Sequence, residues 1–199
     1  MQIAYNIPES PTMSLKQGQQ HQPRSSNRQW ALKPQDLAIA LKLATLRGER
    51  LPYKELGRQM RLSQFEAHAA TQRLLSARLA IEMEGVIRPV TAVLENFILY
   101  GAPYAFPPVR GEMTIGFPTA YGVSPLKEKV MFSDENPPVW PHAEGTHRGL
   151  TLQPLYENLP LAAQDDKALY ELLALFDAIR IGQARERELA AGLLRERLR

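Results

Sequence analysis

The chain has 199 residues, of which 44% are hydrophobic and none is cysteine. This length suffices to bury the core of one or two compact units, and the lack of cysteine excludes disulfides, thiolate zinc sites and cysteine nucleophiles. The net charge of +3 is unevenly distributed, because residues 1–29 carry +2, residues 30–90 carry +4 and residues 91–199 carry −3. Positive charge of the sign needed for phosphate contact therefore lies in the first half of the chain.

Residues 1–28 are rich in Gln, Ser and Pro, a composition that predicts a disordered arm because it cannot repay the entropy of folding. The sequence leaves open whether translation starts at Met1 or at Met13. The first residues lack the apolar stretch of a signal peptide, and no later segment is long enough to cross a bilayer. We therefore expect a cytoplasmic protein without membrane contact.

Two helices are predicted after the arm. The first covers Asp36 to Arg47, follows Pro34 and ends at Gly48, with apolar residues at helical spacing between. The second begins after Pro52. It carries Leu56 and Met60 on its inner face, and Gly57 permits a close crossing by the next helix.

The third helix is marked by a capping box, in which Ser63 and Glu66 satisfy each other's backbone N–H groups. Leu62 should fill the corner that precedes it. At 100° per residue one side of this helix should be buried, namely Ala67, Ala70, Thr71 and Leu74. The other positions should point outward or sideways, namely Gln64, Phe65, His68, Ala69, Gln72 and Arg73.

A short hairpin and a further helix are predicted next. Leu79 to Met83 and Val86 to Arg88 are typical of strands, with Glu84-Gly85 as the turn between them. Pro89 should then open a helix that runs through Tyr100 and ends at Gly101. Its apolar stripe would consist of Val93, Leu94, Phe97 and Ile98.

The segment from about residue 30 to residue 88 resembles the winged helix-turn-helix of MarR-like regulators. The resemblance is carried by the N-terminal helix, by "YKELGRQMRLS", by the helix ending in "RLLSARLAIE" and by the Gly-containing hairpin. It implies that the helix after the Leu-Ser corner is a recognition helix and that the hairpin is a wing. It also implies a homodimer paired through terminal helices, with double-stranded DNA as the partner.

Side chains on this module have distinct predicted roles in DNA binding. Gln64 and Gln72 would contact adenine, His68 would donate to a base or a phosphate, and Phe65 would touch a thymine methyl. Phosphate contacts would come from the basic residues. The full predicted set is Lys54, Arg58, Arg61, Ser63, Gln64, Phe65, His68, Gln72, Arg73 and Arg88. Glu82 and Glu84 make the wing acidic, which leaves open the alternative that the module contacts protein or serves as a scaffold.

The remainder of the chain divides into two predicted parts. Residues 101–154 are dense in Pro, Gly and aromatics, and we expect an irregular ordered lobe with short strands at Glu112–Ile115 and Lys129–Phe132. Its aromatics either form the core of the lobe or line, with Arg110, a pocket for an effector. These are Tyr100, Tyr104, Phe106, Phe117, Tyr121 and Trp140.

Residues 155–199 should be helical. We expect a short helix from Leu155 to Ala163, a cap at Asp165, and a long amphipathic run from Ala168 to Leu198. The inward residues of that run would either pair two subunits or close the core of the monomer; they include Leu172, Phe176 and Ile179.

The predicted fold is mainly α: a disordered arm (1–28), a winged helix-turn-helix domain (29–100), an irregular Pro/Gly/aromatic lobe (101–154) and a C-terminal helical region with a long helix (155–199). No cofactor is implied. His142, Glu144 and His147 match no zinc pattern, and no catalytic motif supports an enzyme. We expect a sequence-specific DNA-binding transcriptional regulator, acting as a dimeric repressor. The alternative is a protein-interaction module, such as an antitoxin-like partner of a neighbouring gene product, acting through residues 101–199.

Overall fold

The computed structural model describes residues 31–129 and 136–199. Within them the chain is mainly helical, with two small β-sheets. The arm predicted over residues 1–28 lies outside the described residues, as do residues 130–132 of the strand predicted at Lys129–Phe132. Lys129 itself ends a short helix.

The first helix, α1 (Pro34–Thr45), is the central helix of the fold rather than an amphipathic one. Every residue from Asp36 to Leu43 is buried, including two charged side chains. Asp36 pairs with Arg73 at 2.6 Å, and Lys42 pairs with Asp166 at 2.6 Å. Each buried charge of α1 thus ties the helix to a different element, and the predicted helix is confirmed.

The helices α2 (Tyr53–Gln59) and α3 (Gln64–Ser76) pack against each other across a short turn. Leu56 and Met60 are buried, as predicted. Gly57 allows a close approach, although a Cβ there would lie 2.9 Å from the Leu62 carbonyl oxygen rather than against α3 itself. Gly57 therefore makes room for the turn.

The hairpin is confirmed as β1 (Ala80–Met83) and β2 (Val86–Pro89), but the helix after it differs from its predicted form. Pro89 pairs with Ala80 at the end of β2, so the next helix, α4 (Thr91–Asn96), begins two residues later than predicted. It continues through a π-helical segment (Phe97–Gly101) into α5 (Ala102–Ala105). Gly101 does not end the helix, because it is the last residue of the π-helical segment that leads directly into α5. Leu94 and Ile98 are buried, whereas Val93 is exposed.

The Pro/Gly/aromatic lobe is built around three strands, β3 (Arg110–Pro118), β4 (Val139–Pro141) and β5 (His147–Leu152). A short helix, α6 (Leu126–Lys129), lies between β3 and β4. β3 pairs antiparallel with both other strands, and β4 meets β5 in parallel at Val139 and Thr151, so the strands close on one another. The predicted strand Glu112–Ile115 lies within β3.

The glycines of the lobe are required where its strands approach most closely. A Cβ on Gly149 would overlap the Pro137 carbonyl, and one on Gly145 would overlap the backbone of Gly116. The high glycine content of this segment made its strands hard to predict from the sequence. The same glycines are what allow the strands to pack so closely.

The C-terminal region contains α7 (Leu159–Gln164), α8 (Lys167–Ile181) and α9 (Ala184–Leu198). The prediction of one long helix from Ala168 to Leu198 was wrong, because Gly182 adopts an extended backbone and Gln183 caps a new helix. α9 folds back on α8, and Arg197 near its end bonds Glu171 near the start of α8 at 2.8 Å. The predicted position of the cap was also wrong by one residue, because Asp166 rather than Asp165 caps α8.

A single cluster of buried side chains joins these parts, extending from α1 and α3 to α8 and α9. Leu172, Phe176 and Ile179 all lie within this cluster, so they close the core of the chain itself. The outer face of α9 carries the charged residues.

Candidate nucleic-acid interface

The corner between α2 and α3 is fixed by local hydrogen bonds and by a contact from the C-terminal half of the chain. The Ser63 hydroxyl accepts from the Glu66 N–H at 3.2 Å, and the Glu66 carboxylate accepts from the Ser63 N–H at 2.9 Å. Hydrogen bonds from the Ser63 backbone and hydroxyl lower the pKa of Glu66. Tyr156 donates to the Met60 carbonyl at 2.7 Å. The capping box is confirmed, and the Ser63 hydroxyl is already engaged in it.

The last turn of α3 is anchored to α1 by an ion pair that engages one predicted DNA contact. The Arg73 guanidinium donates to both carboxylate oxygens of Asp36, at 2.7 and 2.6 Å. Arg73 is only 8% exposed and Asp36 is fully buried, and the Asp36 hydrogen bond raises the pKa of Arg73. The prediction that Arg73 points toward an open face was therefore wrong. Spacing alone could not reveal that a carboxylate 37 residues away would hold it inside.

The N-terminal half of α3 presents its side chains to solvent. Gln64 and His68 are exposed, and the Phe65 ring is 86% exposed. The buried side consists of Ala67, Ala70, Thr71 and Leu74, as predicted. Gln72, two turns further along, is half-buried. The outward surface is therefore concentrated in the first two turns.

Tyr53 belongs to the same surface, although it was not among the predicted site residues. Its ring meets the His68 ring edge to face, with centroids 4.9 Å apart, which places the first turn of α2 beside α3. Lys54 follows Tyr53 and is exposed. The signal available in the sequence was an aromatic residue immediately after Pro52, at the first position of the helix.

Two predicted phosphate contacts of this surface are engaged with carboxylates. Arg58 donates to Glu55 through Nε and Nη2 at 2.8 and 2.6 Å, and Arg61 donates to Asp165 at 2.6 Å. The Arg58 hydrogen bonds lower the pKa of Glu55 to about 2. Both ion pairs are solvent-exposed, and such pairs contribute little to stability because water and salt screen them. Exchanging either carboxylate for a phosphate would therefore cost little.

The β1–β2 hairpin does not extend this surface. Arg88 is exposed, but its guanidinium lies against Gly48 beyond the end of α1 rather than beside α3. Glu82 and Glu84 are exposed, as are the apolar side chains Ile81 and Met83. The structure thus places Gln64, Phe65 and His68 on one helix, brings the first turn of α2 beside that helix through Tyr53, and separates Arg88 from them.

The predicted effector-pocket residues are brought together only in part. Arg110 and Tyr121 line one cavity of about 320 Å³, whereas Trp140 and Phe117 are buried in the lobe and Tyr100 and Tyr104 are exposed elsewhere. Within residues 31–129 and 136–199 no three His, Cys, Asp or Glu side chains are grouped to hold a metal ion. The Trp140 Nε1 donates to the buried carboxylate of Asp177 at 2.7 Å.

Comparison of the chain with protein-family models, curated proteins and solved structures gave no match. None of the helices in the described parts of the chain is both long and apolar enough to cross a membrane. We therefore infer the function of this protein from the geometry of its own surfaces.

Proposed function

We propose that residues 31–89 form a winged helix-turn-helix and that the protein is a sequence-specific DNA-binding regulator. The observation that carries this proposal is the exposure of Gln64, Phe65 and His68 on the first turns of a helix whose opposite side is fixed to the core. A rigid helix that projects polar and aromatic side chains from its N-terminal end suits insertion into a major groove.

Roles within the interface follow from side-chain chemistry. Gln64 would make bidentate hydrogen bonds to adenine, His68 would donate to a base edge or a phosphate, and Phe65 would contact a thymine methyl. Gln72, being half-buried, would contact DNA only at the edge of the groove. An exposed Phe is costly in water, so its burial against a base would favour the complex.

The phosphate contacts would differ from those expected from the sequence. Arg73 is removed from the set by its buried pair, whereas Arg58 and Arg61 would exchange Glu55 and Asp165 for phosphates. Lys54 would bind a phosphate directly. Each neutralised phosphate contributes about −0.9 to the slope of log affinity against log salt for B-DNA, so three contacts at this face predict a slope near −2.7.

Genomic pull-down tests the proposal. Sheared genomic DNA is captured on wild type, on a Gln64→Ala/Gln72→Ala double variant and on Gln153→Ala, which removes an exposed Gln after β5. We expect wild type and Gln153→Ala to enrich the same sites and the double variant to lose them. Identical enrichment by all three proteins would remove the reader role of α3.

We further propose that the regulator acts as a dimeric repressor, because two reading heads would recognise successive half-sites. Leu172, Phe176 and Ile179 are buried within one chain. A dimer would therefore have to form through a surface other than these residues. Light scattering of the full chain with its duplex tests this. A single protomer on each bound duplex would contradict it.

A second candidate function is that of a protein-interaction module, such as an antitoxin-like partner of a neighbouring gene product. It is favoured by an exposed apolar strip on the β3–β5 ribbon, where Met113 lies opposite Leu150 and Ile115 follows on the same side of β3. Co-expression with the product of the adjacent reading frame tests it. A stable complex that is lost in Met113→Ser/Leu150→Ser but retained in Gln64→Ala/Gln72→Ala would support this function.

A further inference from the structure

A cavity of about 270 Å³ lies where the C-terminal ends of α1 and α9 meet the end of β2 and the start of α4. Four arginines line it, namely Arg47, Arg88, Arg197 and Arg199. Among the described residues no carboxylate side chain lines the cavity, and neither does any residue of α2 or α3. The cavity is therefore basic and distinct from the proposed reading surface.

Two of these arginines are held in place by specific contacts. The Arg88 guanidinium lies over Gly48, where a Cβ would come within 3.0 Å of Arg88 Nε, and Gly48 has a left-handed φ of 89°. Arg197, which also lines the cavity, donates from Nε to Glu171 at 2.8 Å and from Nη1 to the Leu193 carbonyl at 3.5 Å. The wall is thus partly preorganised, and preorganisation lowers the entropic cost of binding a ligand.

The local charge balance favours an anion. Glu171 offsets one of the four guanidinium charges, and each of the two helix C-termini contributes roughly half a negative charge. About two positive charges therefore remain around a small cavity. A guanidinium fork matches the oxygens of a phosphate in geometry as well as in charge.

We propose that this cavity binds a phosphate group, with Arg88 and Arg47 as its principal donors. The phosphate belongs either to a free phosphorylated small molecule or to a DNA backbone that reaches the base of the wing. The site goes beyond the proposed reading function, since it uses no residue of α3 and would bind phosphate even if α3 did not read DNA.

Calorimetric titration of the full chain with pyrophosphate tests the site itself. We expect wild type to bind and Arg88→Gln and Arg47→Gln each to bind at least about tenfold more weakly, the loss expected for one charge-assisted hydrogen bond. Arg88→Lys, which keeps the charge but not the fork, should be intermediate. Arg148→Gln removes an exposed cation of β5 and should bind like wild type. Unfolding midpoints of all variants confirm that they are folded.

Titration with a DNA duplex separates the two sources of phosphate. If a free ligand is the natural occupant, Arg88→Gln will weaken pyrophosphate binding and leave duplex affinity unchanged. If the DNA backbone is the occupant, Arg88→Gln will weaken duplex binding and pyrophosphate will compete with the duplex. Unchanged affinity of Arg88→Gln and Arg47→Gln for both probes overturns the proposal. Gln64→Ala should affect only the duplex, so failure of the reading function is distinguishable.

Discussion

The α2–α3 corner and the Pro/Gly/aromatic lobe are held in place in different ways. At the corner, local bonds define the turn, as in the Ser63–Glu66 box and the Leu62 N–H bond to the Gly57 carbonyl, and Tyr156 adds a long-range bond to the Met60 carbonyl. In the lobe, the fixing bonds cross long stretches of chain. Asp177 of α8 accepts from Thr119 and Trp140, each at 2.7 Å, across 58 and 37 residues.

The lobe therefore depends on contacts with α8, whereas hydrogen bonds between neighbouring residues define much of the corner. Asp177 is only 2% exposed, and it also pairs with Arg180, which donates to the Phe106 carbonyl at 3.2 Å and lies over the Phe176 ring. One buried carboxylate thus organises donors from three segments. Substitutions at Asp177 and at Arg73 should therefore each disrupt one region and spare the other.

Replacing Asp177 should have the largest effect. Asp177→Asn would leave the Arg180 cation buried without its counter-ion, and breaking one side of a buried pair costs about 3–5 kcal/mol. Loss of charge from the bonds to Thr119 and Trp140 adds to this. Urea unfolding measures the change, and hydrogen exchange should show faster exchange in residues 110–118 and 147–152. Thr119→Val, which removes a single donor, should cost about 1 kcal/mol. Equal costs for the two variants would contradict the central place of Asp177.

Replacing Arg73 should affect the corner region instead. Arg73→Gln leaves the fully buried Asp36 carboxylate without its bidentate partner, and we expect a loss of about 3 kcal/mol in the free energy of unfolding. Hydrogen exchange should accelerate in α1 and α3 before it does in β3–β5. Arg78→Gln, an exposed cation just after α3, serves as the control and should change stability by less than about 0.5 kcal/mol.

Removing the cap of α3 should cost less. Ser63→Ala deletes the hydroxyl that accepts from the Glu66 N–H, and N-cap substitutions of this kind cost about 1 kcal/mol. The exchange of α3 amides should increase locally while the lobe is unaffected. A matched Ser76→Ala substitution at the exposed end of α3 should be nearly neutral. If both substitutions had the same effect, the capping bond would not stabilise the corner.

The smallest effect should appear in acid. Burial alone would raise the pKa of Asp166, but the Lys42 hydrogen bond and backbone N–H groups outweigh it and lower the pKa below its ordinary value of 3.8. The folded state therefore gains stability from ionised Asp166 above about that pH and loses it as the pH falls through the folded pKa. The urea midpoint of wild type should decrease more steeply below pH 4 than that of Asp166→Asn. Parallel pH profiles would contradict this contribution.

The same contrast between local and long-range contacts explains which features could be predicted from the sequence. The capping box, the inward Leu56 and Met60, and the hairpin around Glu84-Gly85 each follow from spacings of a few residues, and the structure has all of them. The burial of Arg73, the closure of β3–β5 and the Asp177 network depend on partners tens of residues away. The break at Gly182 was missed although two local signals mark it, namely the glycine itself and the Gln183–Glu186 box that starts α9.

Binding of a DNA duplex by the exposed start of α3 can be measured by equilibrium titration of an enriched genomic duplex. Fluorescence anisotropy with wild type, Gln64→Ala and Gln153→Ala measures the affinities at one salt concentration. We expect Gln153→Ala to match wild type and Gln64→Ala to lose about 1–3 kcal/mol of binding free energy, the value of one bidentate base contact. Equal affinity of all three proteins for the duplex would contradict the account.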